Sequence, residues 1–171
     1  MSIYNDLLEI ITARGNRYFF LSMILVAIIS LAYAFFVEYI LGFEPCTLCL
    51  YQRIPYFLII ILSISGAASQ NNRYILLLLA STIFAAICLA AYHTGVERRI
   101  WDGTTTCNMG VQIPDNISVE EVRELLYNAP IATCTVAAYR IFKISMTEWN
   151  LIMNICFMIY TLIIIRKKGS K

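Results

Sequence analysis

"YILLLLASTIFAAICLAAY", residues 74–92, carries no charged side chain and no alternation of polar with apolar residues. A barrel strand needs that alternation, and lipid admits only helices or closed barrels, so this run reads as a membrane-spanning helix. Its length is close to the ~20 residues a helix needs to cross about 30 Å of hydrocarbon. Three further apolar runs have similar length: Tyr18–Leu41, Leu48–Ala68 and Trp149–Ile165. The expected architecture is an all-α, four-helix membrane bundle forming a single domain over residues 1–171.

Composition agrees. Of 171 residues, 60% are hydrophobic and 14% charged, with a mean hydropathy of +0.71. Soluble domains carry roughly a quarter charged residues. The net charge of +2 and the lack of a basic, aromatic-interleaved patch give no reason to expect nucleic acid as a partner. Ala32-Tyr33-Ala34 imitates a signal-peptide cleavage site, but the apolar run continues through Phe35, Phe36 and Val37. It is also longer than a signal core, so it reads as a retained helix.

The basic residues predict orientation. Arg14, Arg17, Arg73, Arg166, Lys167, Lys168 and Lys171 flank one side of the runs, with only Asp6 and Glu9 among them. The long loop, residues 93–147, balances five basic residues against six acidic ones. Both termini are therefore expected in the cytoplasm, with the long loop and the start of the second run on the opposite, oxidising side. Within that loop, Ser118 and Glu121 have capping-box spacing, and Ile117 and Val122 stand where a hydrophobic staple would. Val122, Leu125, Leu126 and Ala129 then share one face, the pattern of a short amphipathic helix. Such a helix lies on the membrane surface or packs on the protein's own loop. Ser145 and Glu148 repeat the capping-box spacing at the start of the fourth helix.

Six cysteines divide by context. Cys88 and Cys156 lie inside apolar runs and read as small hydrophobes. Cys46, Cys49, Cys107 and Cys134 lie in polar or boundary sequence on the expected oxidising side, where disulfides persist. Cys46 and Cys49, in "EPCTLCLYQRIPY" (residues 44–56), are adjacent enough to pair as redox C-x-x-C sites do, which leaves Cys107 with Cys134. Cys46 follows Pro45 at the entrance to the second helix, where the helix dipole is expected to favour thiolate. Two other readings stand beside a redox dithiol. One is a static disulfide. The other is a zinc site, which the wide Cys107/Cys134 spacing and the single histidine disfavour.

Arg53 follows Cys49 by four residues and Cys46 by seven, so all three share a helical face, with Arg53 roughly 6 Å deeper than Cys49. An arginine inside a span is a functional candidate, although this depth also permits snorkelling. His93 closes the third run on the same side. A cation and an imidazole beside a dithiol suit an acceptor that takes up electrons and protons. In a membrane that points to a quinone.

"PCTLCLYQR", the "YHTG" histidine, two loop cysteines and "SMTEW" together resemble the disulfide bond formation protein B (DsbB) family of bacterial inner-membrane thiol oxidases. The resemblance runs from Tyr18 to Ile165. It implies that Cys107 and Cys134 oxidise a periplasmic thioredoxin-like partner, DsbA, with Cys107 attacked. It further implies that Cys46 and Cys49 pass the electrons to ubiquinone or menaquinone. Cys49 matches the cysteine that contacts the quinone ring, and Arg53 and His93 match quinone-site positions; no metal is implied. Tyr139 stands where some members carry tryptophan. Gln52 stands where some carry an acid, and reads as a neutral change. Vitamin K epoxide reductase-like enzymes also couple cysteine pairs to a quinone on four helices, but would ordinarily place the loop pair before the C-x-x-C. A membrane scaffold with structural disulfides is the non-enzymatic alternative.

Overall fold

The computed structural model describes the backbone of residues 2–69, 73–103, 118–121, 123, 134–135 and 140–169, and side chains within these ranges from 17 to 166. Its long helices are α1 (Ser2–Tyr39), α2 (Thr47–Ala68), α3 (Arg73–Glu97) and α4 (Met146–Gly169). Each contains 21 to 25 residues apolar enough to span a membrane. The four-span, all-α architecture expected from the sequence is the one observed.

Consecutive helices pack side by side: α1 on α2, α2 on α3, and α3 on α4. The core takes Phe19, Phe20, Met23 and Ala27 from α1, Tyr56 and Ile59 from α2, Leu76, Leu79 and Ile83 from α3, and Phe157 from α4. On α3 the buried positions 76, 79, 83, 86, 90 and 93 recur every three or four residues, one stripe of a 3.6-residue helix. Leu77, Leu78 and Phe84, equally apolar, point outward. Both faces are hydrophobic because lipid is as apolar as the core, so packing follows shape rather than polarity. Gly66 illustrates this. A Cβ there would collide with the Phe20 ring, so glycine permits the close approach of α1 and α2.

Several boundaries differ from the sequence reading: α1 begins at Ser2 rather than Tyr18, α4 runs on to Gly169 rather than Ile165, and two more lie near the long loop. The third helix continues one turn past Tyr92, to Glu97, so His93 lies within a helix rather than at its end. Arg99 adopts φ 56°, its N–H reaches Val96 O (3.0 Å), and Ile100 N–H reaches Gly95 O (2.8 Å). This is a Schellman closure with arginine where glycine is usual, which is why no sequence signal marks it. Trp101 then folds back over the helix end, stacked on Tyr92 and donating Nε1–H to Tyr92 O (2.9 Å). Gly95 makes room for that ring. The fourth helix begins at Met146, a turn before Trp149. Ser145 N–H donates to Glu148 Oε2 (3.0 Å) and Glu148 N–H to Ser145 Oγ (3.2 Å), the capping box its spacing predicts.

A feature the sequence did not announce precedes α4. Strands β1 (Arg140–Ile141) and β2 (Ile144–Ser145) form a hairpin turning through Phe142 and Lys143, both at positive φ (51° and 68°). Such turns usually carry Asn or Gly, so Phe-Lys gives no warning of one. At residues 118–121 the other capping box forms as well, with Ser118 N–H to Glu121 Oε2 (2.9 Å) and Glu121 N–H to Ser118 Oγ (3.3 Å). Those bonds hold the exposed Glu121 carboxyl below its ordinary range. The apolar face expected on Val122, Leu125, Leu126 and Ala129 lies outside the described residues, as does Cys107.

Candidate functional site

The C-x-x-C opens α2. Cys46 is the N-cap residue, and its sulfur accepts the backbone N–H of Cys49 (3.3 Å). One turn along, Cys49 brings its own sulfur to 2.9 Å, where it accepts the Cys46 S–H. The next two turns of α2 add polar groups to this region: Gln52 and Arg53, then Tyr56. His93 reaches the same place from α3, with Nε2 3.4 Å from Cys46 Sγ. Cys134, buried, joins Cys46, Leu48 and Val96 in one small apolar cluster with Cys49 at its edge. Three of the four cysteines expected to carry chemistry therefore converge beside His93. Cys88 and Cys156 face outward from the bundle.

The expected Cys46 thiolate is not what the surroundings favour. Donation of its S–H to Cys49, reinforced by burial, pushes the Cys46 thiol up to about 12. His93 pulls the other way and is outweighed. In the S–H···S contact Cys46 is the donor and Cys49 the accepting sulfur.

A cavity of about 670 Å³ opens beside the dithiol, within the range of small-molecule sites. Leu31, Val37, Phe43 and Met153 supply apolar wall; Cys49, Arg53, His93 and Glu38 supply functional groups. The space lies between α1 and α4, which meet at the opposite end of the bundle through Phe19 and Tyr160, ring centroids 4.8 Å apart. Arg53 does not snorkel to the surface. Its Nη1 lies 2.6 Å from Glu38 Oε2 of α1, and its guanidinium covers the Phe35 ring at 4.7 Å. The contact is a charge pairing rather than an aligned hydrogen bond, since no donor points at Glu38 Oε2.

The largest omission of the sequence reading is a chain of side-chain hydrogen bonds behind the dithiol. Tyr56 OH donates to Asn150 Oδ1 (2.6 Å), Asn150 Nδ2 to Gln52 Oε1 (2.6 Å), and Gln52 Nε2 meets His93 Nδ1 (2.8 Å). Thr147 Oγ1 lies 3.5 Å from the same ring nitrogen. Two clues were available in the sequence. Gln52 and Tyr56 are four residues apart on the C-x-x-C helix, and Asn150 and Asn154 four apart in an otherwise apolar run.

Four spanning helices with a dithiol, an imidazole and a third cysteine gathered at one end of the bundle define a multi-pass membrane protein built around thiol chemistry. The profile of the family described as "Disulfide bond formation protein DsbB" matches residues 16–164, and the chain belongs to that family. Membership makes it a membrane disulfide oxidoreductase of disulfide-bond formation. Among its relatives, a protein of Rickettsia prowazekii described as uncharacterized is 38% identical, over 92% of this chain and 94% of its own length. Disulfide bond formation protein B of Psychromonas ingrahamii is 27% identical, over 77% and 71% respectively. Disulfide bond formation protein B 2 of Pseudomonas aeruginosa is 23% identical, over 80% and 82%.

Proposed function

We propose that the protein reoxidises a DsbA-like, thioredoxin-fold partner in the periplasm and delivers the electrons to a membrane quinone. Both termini are cytoplasmic in this reading, and the cysteines face the periplasm of a bacterial inner membrane. The observation that carries it is the position of the Cys46/Cys49 dithiol, with Cys134 packed on one side and the cavity open on the other.

The exchange balances in two steps. A partner thiolate attacks Cys107 of an oxidised Cys107–Cys134 pair, forming a mixed disulfide and releasing Cys134 as thiolate; the partner's second thiolate then displaces Cys107. Cys134 next attacks Cys46 of an oxidised Cys46–Cys49 pair, forming Cys134–Cys46 and expelling Cys49 as thiolate on the cavity side. Cys107 attacks Cys134 and restores the loop disulfide, leaving Cys46 and Cys49 reduced.

The cavity fits a quinone in volume, in its apolar wall and in its polar groups. Cys49, Arg53 and His93 are the residues that would hold it. When bound, a quinone supplies an acceptor for two electrons and two protons. Arg53 keeps a fixed positive charge at the wall, the Glu38 carboxylate limits that charge, and the surrounding apolar side chains exclude water.

The test mixes purified protein, a reduced thioredoxin-like partner and ubiquinone or menaquinone in lipid nanodiscs. The expected result is quinone reduction matched one-to-one by partner disulfide. Partner oxidation indifferent to quinone, or none at all, would overturn the reading and leave a structural role.

A further inference from the structure

The bonds behind the dithiol have a polarity that can be read without assuming any amide orientation. Asn154 faces the backbone carbonyl of Asn150 at 2.9 Å. A carbonyl only accepts, so the Asn154 NH₂ must point there. The same NH₂ also lies 2.9 Å from the Asn150 side chain, which must present Oδ1 to it. Oδ1 receives the Tyr56 hydroxyl as well, so the Asn150 NH₂ is turned toward Gln52. Gln52 must answer with Oε1, and its NH₂ is left facing His93 Nδ1. The cost of this orientation is visible: Asn154 Oδ1 is buried without a donor.

A ring nitrogen that receives an N–H carries no proton of its own. The opposite nitrogen, Nε2, then holds the imidazole hydrogen, and Nε2 is the atom 3.4 Å from Cys46 Sγ. We infer that Gln52, oriented by Asn150 and ultimately by a main-chain carbonyl of α4, is a positioning residue that fixes His93 as the neutral Nε2–H tautomer and aims that hydrogen at Cys46. His93 is thereby a hydrogen-bond donor to Cys46 sulfur. It steadies charge on that sulfur during exchange and does not act as the base that removes the Cys46 proton. An acid in place of Gln52 would demand a proton on Nδ1, so the amide is not a neutral choice. The inference concerns the chain's own side chains and stands whether or not the electron acceptor is a quinone.

The chain contains one histidine, so ¹⁵N-histidine labelling reports on His93 alone. The experiment records the ring-nitrogen resonances of the reduced, full-length protein in nanodiscs at mildly alkaline pH, with no partner and no quinone. Wild type is expected to show an unprotonated Nδ1 and a protonated Nε2. Gln52→Glu should move Nδ1 to a protonated shift. Gln52→Met, which removes the donor without adding charge, should give a mixture of tautomers and serves if the glutamate variant does not fold. A wild-type Nδ1 that carries the proton would overturn the inference. So would either folded variant that keeps the pure wild-type tautomer.

Discussion

Arg53 on α2 and Glu38 on α1 pair at 2.6 Å on the wall of the cavity, both side chains mostly shielded from solvent (13% and 19% exposed). Removing one partner leaves the other charge poorly compensated. A fully buried pair broken this way costs about 3–5 kcal/mol. For this partly exposed pair, Glu38→Ala and Arg53→Ala should each cost about 2 kcal/mol, discounted for screening. Replacing both by apolar residues, Glu38→Leu with Arg53→Met, should recover most of the loss. Thermal unfolding in detergent measures this; strictly additive losses would show that the two charges do not interact.

The same arginine has a kinetic signature. If its charge faces the quinone, Arg53→Ala should raise the apparent quinone KM at least several-fold while partner binding changes little. Steady-state oxidation at varied quinone and fixed partner separates the two. An unchanged quinone KM would confine Arg53 to its ion pair with Glu38.

For Cys46 the expectation concerns pH. Its thiol is pushed up to about 12, first by donation to Cys49 and then by burial. A raised value means that the native fold holds this proton more tightly than the unfolded chain does. The resulting stabilisation is complete below the ordinary thiol range and is lost as pH climbs toward 12. Alkylation of Cys46 in the reduced protein should therefore stay slow through pH 8–9. Cys49→Ala removes the leading cause, so alkylation of Cys46 at the same pH should become faster. Mass spectrometry of the Cys46 peptide follows both rates, and equal rates would contradict the assignment.

The division of labour between cysteine pairs is open to trapping. A partner lacking its second cysteine cannot resolve the mixed disulfide, so a covalent complex should accumulate on a non-reducing gel. It should vanish with Cys107→Ser and persist with Cys49→Ser. A complex that forms through Cys46 or Cys49 without Cys107 would make the C-x-x-C the partner-facing pair.

Four spans, two capping boxes and a C-x-x-C opening the second helix were determined by sequence alone. Hydropathy over twenty residues, a Ser-x-x-Glu spacing and a position at a helix N-terminus are local properties, unaffected by what the helix later touches. The rotation of each helix is not local. With lipid on one side and core on the other, both apolar, the residues of α3 do not declare which face turns inward. Only the packed bundle decided that Glu38 meets Arg53, that Cys134 arrives beside Cys46, and that Gln52 turns toward His93. The Schellman closure at Arg99 and the hairpin turn at Phe142–Lys143 were hidden for another reason. Both use left-handed backbone at residues that ordinarily avoid it, so neither leaves a Gly or Asn signal in the sequence. The thiol of Cys46 follows the same division: its place at a helix N-terminus was legible, but the hydrogen bond that keeps it protonated depends on where the Cys49 sulfur comes to rest.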